Sequence, residues 1–98
     1  MDHVELGTVV AERVLHSAAL QNEVRVRIGC PQKTAADDFI TPYQIIGVGD
    51  QKIRFAAGLD AVQSLQLAFV MIGADIHSRL SDYGLRWADG EGPGFPVP

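Results

Sequence analysis

A single cysteine, Cys30, excludes an intramolecular disulfide framework, and by itself it cannot hold zinc. No stretch approaches the roughly eighteen uninterrupted apolar residues of a spanning helix. The opening Met1-Asp2-His3-Val4-Glu5 has no basic region followed by an apolar one, so no signal peptide is expected. Positive charge is scarce as well. Eight Lys and Arg against twelve Asp and Glu give a net charge of -4, which lacks the cationic balance of a dedicated nucleic-acid binder. These absences lead us to expect a cytoplasmic protein with no membrane attachment. What is present, 98 residues of which 47% are apolar, suffices for one domain, residues 1–98, with a small core.

The clearest strand is Glu23-Val24-Arg25-Val26-Arg27-Ile28, where apolar and charged residues alternate with the two-residue period of an extended backbone. Val24, Val26 and Ile28 are expected inward, with Arg25 and Arg27 on a wet face. Thr8 to His16 also has strand character. Its pattern fits two registers, one burying Val10 and Val14, the other Val9, Ala11 and Leu15. Gln32 to Thr41 reads as a loop, followed by a strand Tyr43 to Val48. After the turn Gly49-Asp50-Gln51 comes Lys52 to Ala57, with Ile53, Phe55 and Ala57 expected to face the core.

Asp60 followed by Gln63 is a capping pattern that predicts a long helix from that point. Val62, Leu65, Phe69, Ile72, Ile76 and Leu80 recur every three or four residues as its core stripe, and Asp82-Tyr83-Gly84 can end it. Gly73 costs about 1 kcal/mol of helix propensity relative to alanine and invites a close backbone approach. Leu67, Val70, Met71 and Ala74 form a second apolar row nearly opposite the first. One sheet cannot bury both rows. We expect the tail, residues 88–98, to dock Trp87 or Phe95 over part of that second row and to leave the rest for a homodimer or an unidentified protein partner. Leu85-Arg86-Trp87 is a candidate short strand.

Candidate chemistry is thin. Cys30 has no base nearby in sequence and reads as a buried or core-edge thiol. His3, His16 and His77, with Asp2, Glu12 or Asp75, show no compact ligand motif; we expect no metal and no cofactor. Gly47-Val48-Gly49-Asp50 lacks the lysine and serine or threonine of a phosphate loop and reads as a hairpin turn. Arg25, Arg27 and Arg54 are the most coherent polar set. If their strands turn non-core faces to the same side, the three guanidinium groups could meet a phosphate or carboxylate. Nucleic acid is disfavoured by Glu12, Glu23 and the overall charge.

Ala11-Glu12-Arg13, Val24 through Pro31, Pro42-Tyr43, Gly58 through Ala68 and Gly94-Phe95-Pro96 together resemble a family of small bacterial proteins with no settled activity. The resemblance spans nearly the whole chain. It implies an intact bacterial domain in which the tail belongs to the fold, and it assigns no catalytic residue. The expected architecture is α+β, four mainly antiparallel strands packed on one long helix. The expected function is a protein-interaction or accessory role without catalysis, with an anion or nucleic-acid binding module using the arginine face as the alternative.

Overall fold

A computed structural model describes residues 4–88, 90 and 92–97. Asp2 and His3, weighed above as metal ligands, lie outside the described residues, as do Asp89, Glu91 and Pro98 of the tail. The elements are β1 (Val9–Leu15), β2 (Val24–Gly29), β3 (Gln32–Lys33), β4 (Phe39–Ile46), β5 (Ile53–Gly58) and α1 (Ala61–Arg79), followed by a single 3₁₀ turn at Ser81–Tyr83. All strand pairs are antiparallel. The fold is α+β: β1 pairs with β2, β2 with β4, and β4 with β5, and the helix packs on β4 and β5.

β2 and β3 follow one another along a single edge of β4, so the segment read as a loop from Gln32 to Thr41 is the tip of a long hairpin. The signal was masked by Pro42, which sits inside β4 although proline cannot donate to a ladder. Its position is tolerated because β2 pairs only as far as Tyr43 and β3 resumes at Ile40; Pro42 falls in the interruption. β1 resolves the ambiguity of register with a bulge at Val10, between Val9↔Gly29 and Ala11↔Ile28. Leu15 is buried and Val10 is exposed, so the chain takes neither pattern unbroken.

β5 is turned over relative to the sequence reading. Tyr43↔Arg54 and Thr41↔Ala56 share one face, and Pro42↔Phe55 and Ile40↔Ala57 share the other. Tyr43 reaches the helix residue Asp75, so Arg54 and Ala56 face α1 while Ile53, Phe55 and Ala57 lie on the open face. The reason is space. A Cβ on Gly58 would come within 2.5 Å of the Ser64 backbone nitrogen, so the helix start rests almost on the strand and leaves no room for phenylalanine beneath it.

The helix is rotated for the same reason. Ser64 and Ala68 are fully buried, and Val62, placed in the core stripe by periodicity, is 64% exposed. Small residues at Ser64 and Ala68 bring the axis close to the sheet. Ala68, Ile72 and Ile76 then pack with Val24, Val26, Tyr43, Ile45 and Leu15, each large side chain contributing about 1.5–3 kcal/mol of burial. The N-terminal end matches the sequence signal, whereas α1 stops at Arg79 with Leu80 as its cap, short of Asp82-Tyr83-Gly84, which close a separate 3₁₀ turn. Asp60 accepts a hydrogen bond from the Gln63 N–H, and Gln63 accepts one from the Leu59 N–H. After the 3₁₀ turn, Gly84 takes the left-handed conformation.

The tail meets the helix at Gly73, where a Cβ would lie 1.9 Å from the Pro96 carbonyl oxygen. That position is on the Phe69 flank of α1, so Phe95 packs against Phe69 and not over Leu67, Val70, Met71 and Ala74 as expected. Leu85-Arg86-Trp87 contributes one antiparallel bridge, with reciprocal backbone bonds between His16 and Arg86.

Candidate functional site: the outer face of the helix

The three arginines do not converge. Arg25 and Arg27 project from β2 onto the open face of the sheet, where Gln44 and Ile46 are their β4 neighbours. Both are already paired: Arg25 with Glu12 at 2.8 Å and Glu23 at 3.0 Å, Arg27 with Glu12 at 3.4 Å. Arg54 faces the opposite way. It makes a two-pronged contact with Asp50, at 3.0 and 2.8 Å, in the turn that joins β4 to β5. The expected three-arginine anion surface therefore fails on geometry, since the overturned β5 separates Arg54 from the other two.

Arg54 belongs instead to a charge network between sheet and helix. The Tyr43 hydroxyl donates to Asp75 at 2.6 Å, and Arg79 bridges Asp75 at 3.5 Å and Asp50 at 3.7 Å. Burial, reinforced by the Asp75 carboxylate, pushes the Tyr43 phenol above its ordinary range. The Arg54 guanidinium holds the Asp50 carboxyl well below the usual carboxylate range, helped by the Lys52 N–H. These groups neutralise one another and fix the rotation of α1 on β4.

A concavity of about 530 Å³ opens between His16 to Ala19 and Ser81 to Arg86. Its lining mixes His16, Asp82 and Arg86, and the Ser17 hydroxyl within it is committed to the Tyr83 carbonyl. Cys30 is exposed, contrary to expectation, because its N–H pairs with the Thr8 carbonyl at the strand end and its side chain is left outside. Among the described residues no group of three or more His, Cys, Asp or Glu converges as a metal site.

The outer face of α1 differs from all of these. Leu67, Val70 and Met71 are 40%, 46% and 38% exposed, and Ala74 is partly exposed beside them. No charged residue occurs between Asp60 and Asp75. The two charges the helix does carry, Asp75 and Arg79, are turned into the network with Tyr43 and Asp50. The outward surface is thus built from Gln63, Gln66, Leu67, Val70, Met71 and Ala74, with Val62 at one end and His77 and Ser78 at the other, and it holds no Asp, Glu, Lys or Arg. A solvated helix face of ordinary composition is charged. The sequence reading found the apolar row; the lack of charge around it was an equally available signal.

No described helix is long and apolar enough to cross a membrane. No curated protein and no solved structure matches the chain. Residues 11–97 match the family described as Domain of unknown function (DUF6968), and the chain belongs to that family.

Proposed function

We propose that this is a protein-interaction protein that works as a homodimer, with the outer face of α1 as its contact surface. The observation that carries the reading is the exposed, wholly uncharged row Leu67, Val70, Met71 and Ala74. The occupant is a second copy, because the row is self-complementary. Its four positions are symmetric about the midpoint between Val70 and Met71. A two-fold axis there sets Leu67 of one copy against Ala74 of the other, large against small, and Val70 against Met71. The polar ends match too, Gln63 meeting Ser78 across the axis. With a net charge of -4 the two copies repel at long range, and an uncharged contact face is where they can meet.

Sedimentation equilibrium from about 1 to 500 µM tests this, since a contact of this modest size is expected in the micromolar range. The wild-type chain is expected to be dimeric in that window, and Val70→Lys, on an exposed helix position, to be monomeric with an unchanged far-ultraviolet spectrum. A wild-type monomer throughout would overturn the proposal.

A further inference from the structure

β5 is the open edge of the sheet. It pairs only with β4, and among the described residues none of the turn, loop or cap backbone bonds reaches Ile53–Gly58. Most devices that usually blunt such an edge are missing: β5 has no proline, its pairing to β4 runs without a bulge, the charge of Arg54 is spent on Asp50, and the one lysine, Lys52, stands just before the strand. The edge lies on the same side of the molecule as the uncharged helix row. The tail and the β1–β2 residues Arg13 and Ile28 gather at the Phe69 flank of α1, so Leu67 and Met71, on the far side of the helix wheel from Phe69 and Gly73, lean toward β5.

We infer that the dimer, taken as proposed above, is closed by antiparallel pairing of β5 with its copy about Phe55, giving one sheet that runs through both chains with the two helices side by side on it. Three independent measures agree. The helix rests on β4 and β5, so joining β5 to its copy separates the two helices by about two strand spacings, roughly 9.5 Å. That falls within the 8–10 Å at which helices pack.

The registers coincide as well. Gly58 lies against Ser64, and from there the midpoint of Val70 and Met71 is about 10 Å along the helix at 1.5 Å per residue. Moving about 10 Å back along β5 at roughly 3.4 Å per residue reaches Phe55. One axis therefore serves strand and helix. Last, the side chains fit. Phe55, 41% exposed on the open face, meets its own copy as an aromatic cross-strand pair. Ile53 meets Ala57, Arg54 meets Ala56 and Lys52 meets Gly58, so no two like charges oppose each other.

Crosslinking of the full chain in a Cys30→Ser background tests the arrangement. Residues directly opposed on a two-fold strand pair have Cα separations of about 4.5–5.5 Å, within disulfide reach. Phe55→Cys is expected to oxidise to a covalent dimer at least about tenfold faster than Val10→Cys, an exposed site on β1. In the unmodified chain, exchange of the outward β5 amides is expected to slow at least about tenfold on raising the concentration from monomer to dimer. A dimer by sedimentation with neither effect overturns the strand pairing and leaves the helix-face reading standing. A chain that stays monomeric overturns both.

Discussion

Tyr43 is among the largest fully buried side chains, and its hydroxyl is the point at which sheet and helix are fixed. Burial, and then the Asp75 carboxylate, raise its phenol above the ordinary value of about 10. The folded state therefore binds this proton more tightly than the unfolded chain does. Its contribution to stability is complete below about pH 10 and is lost as pH climbs through the raised folded value. Asp50 works at the other end of the scale. Held low by Arg54, it contributes above the ordinary carboxylate value of about 4 and loses that contribution as pH falls further. From these two groups stability is flat between those limits. Urea midpoints measured from pH 7 to pH 11 should thus fall above about pH 10 in the wild type. Tyr43→Phe should lower the midpoint at pH 7, by the equivalent of about 1.5–3 kcal/mol for the lost bond to a charged partner, and should flatten the alkaline fall. An unchanged alkaline slope in Tyr43→Phe would show that another group sets it.

At the level of elements, the join between α1 and the C-terminal segment rests on a few contacts. Arg13 of β1 sets its guanidinium 3.9 Å from the Trp87 ring centre and 4.9 Å from that of Phe95, and donates to the Gly94 carbonyl at 2.9 Å. On the helix side, Gly73 admits the Pro96 carbonyl to a place that any Cβ would occupy. Gly73→Ala should therefore do two opposite things. It gains about 1 kcal/mol of helix propensity and it evicts Pro96 from the helix. The expected result is an intact helical spectrum with Trp87 fluorescence shifted to the red and more readily quenched; unchanged emission would mean the tail is held by Arg13 alone. These contacts also show what the sequence could disclose. The capped helix, the Val24 to Ile28 strand and the close approach at Gly73 were readable, since local chemistry dictates each of them. The face of β5 and the rotation of α1 were not. Both turn on Gly58 and Ser64 lying against each other, residues six apart in sequence whose smallness matters only once the strand and helix are stacked. The docking site of the tail was misread for a related reason: periodicity counted Phe69 into the core, whereas the rotation leaves it at the flank where Phe95 can reach it.

For the molecule as a whole, shape sets the terms. The chain measures 43 × 22 × 22 Å, one sheet with one helix on one face, and a core of this size gives a small domain little margin. The open face of the sheet is not bare: Arg25, Arg27, Glu12 and Glu23 compensate one another there, and the Leu6 carbonyl lies where a Gly29 side chain would be. Among the described residues, α1 and the β5 edge are adjoining surfaces whose burial can add stability. If they associate as proposed, unfolding and dissociation are one process, and the melting temperature must depend on concentration. A tenfold rise in concentration is worth about 1.4 kcal/mol per dimer, hence about 0.7 per chain. For a chain of this length that amounts to roughly 3 °C per tenfold. The wild-type melting temperature should accordingly climb by about 3 °C for each tenfold increase above the dissociation constant, while that of Val70→Lys stays fixed. Calorimetric scans of both chains over two decades of concentration make the comparison directly. Parallel, concentration-independent curves would mean that the uncharged face of α1 stays in water, and that the marginal core carries the fold alone.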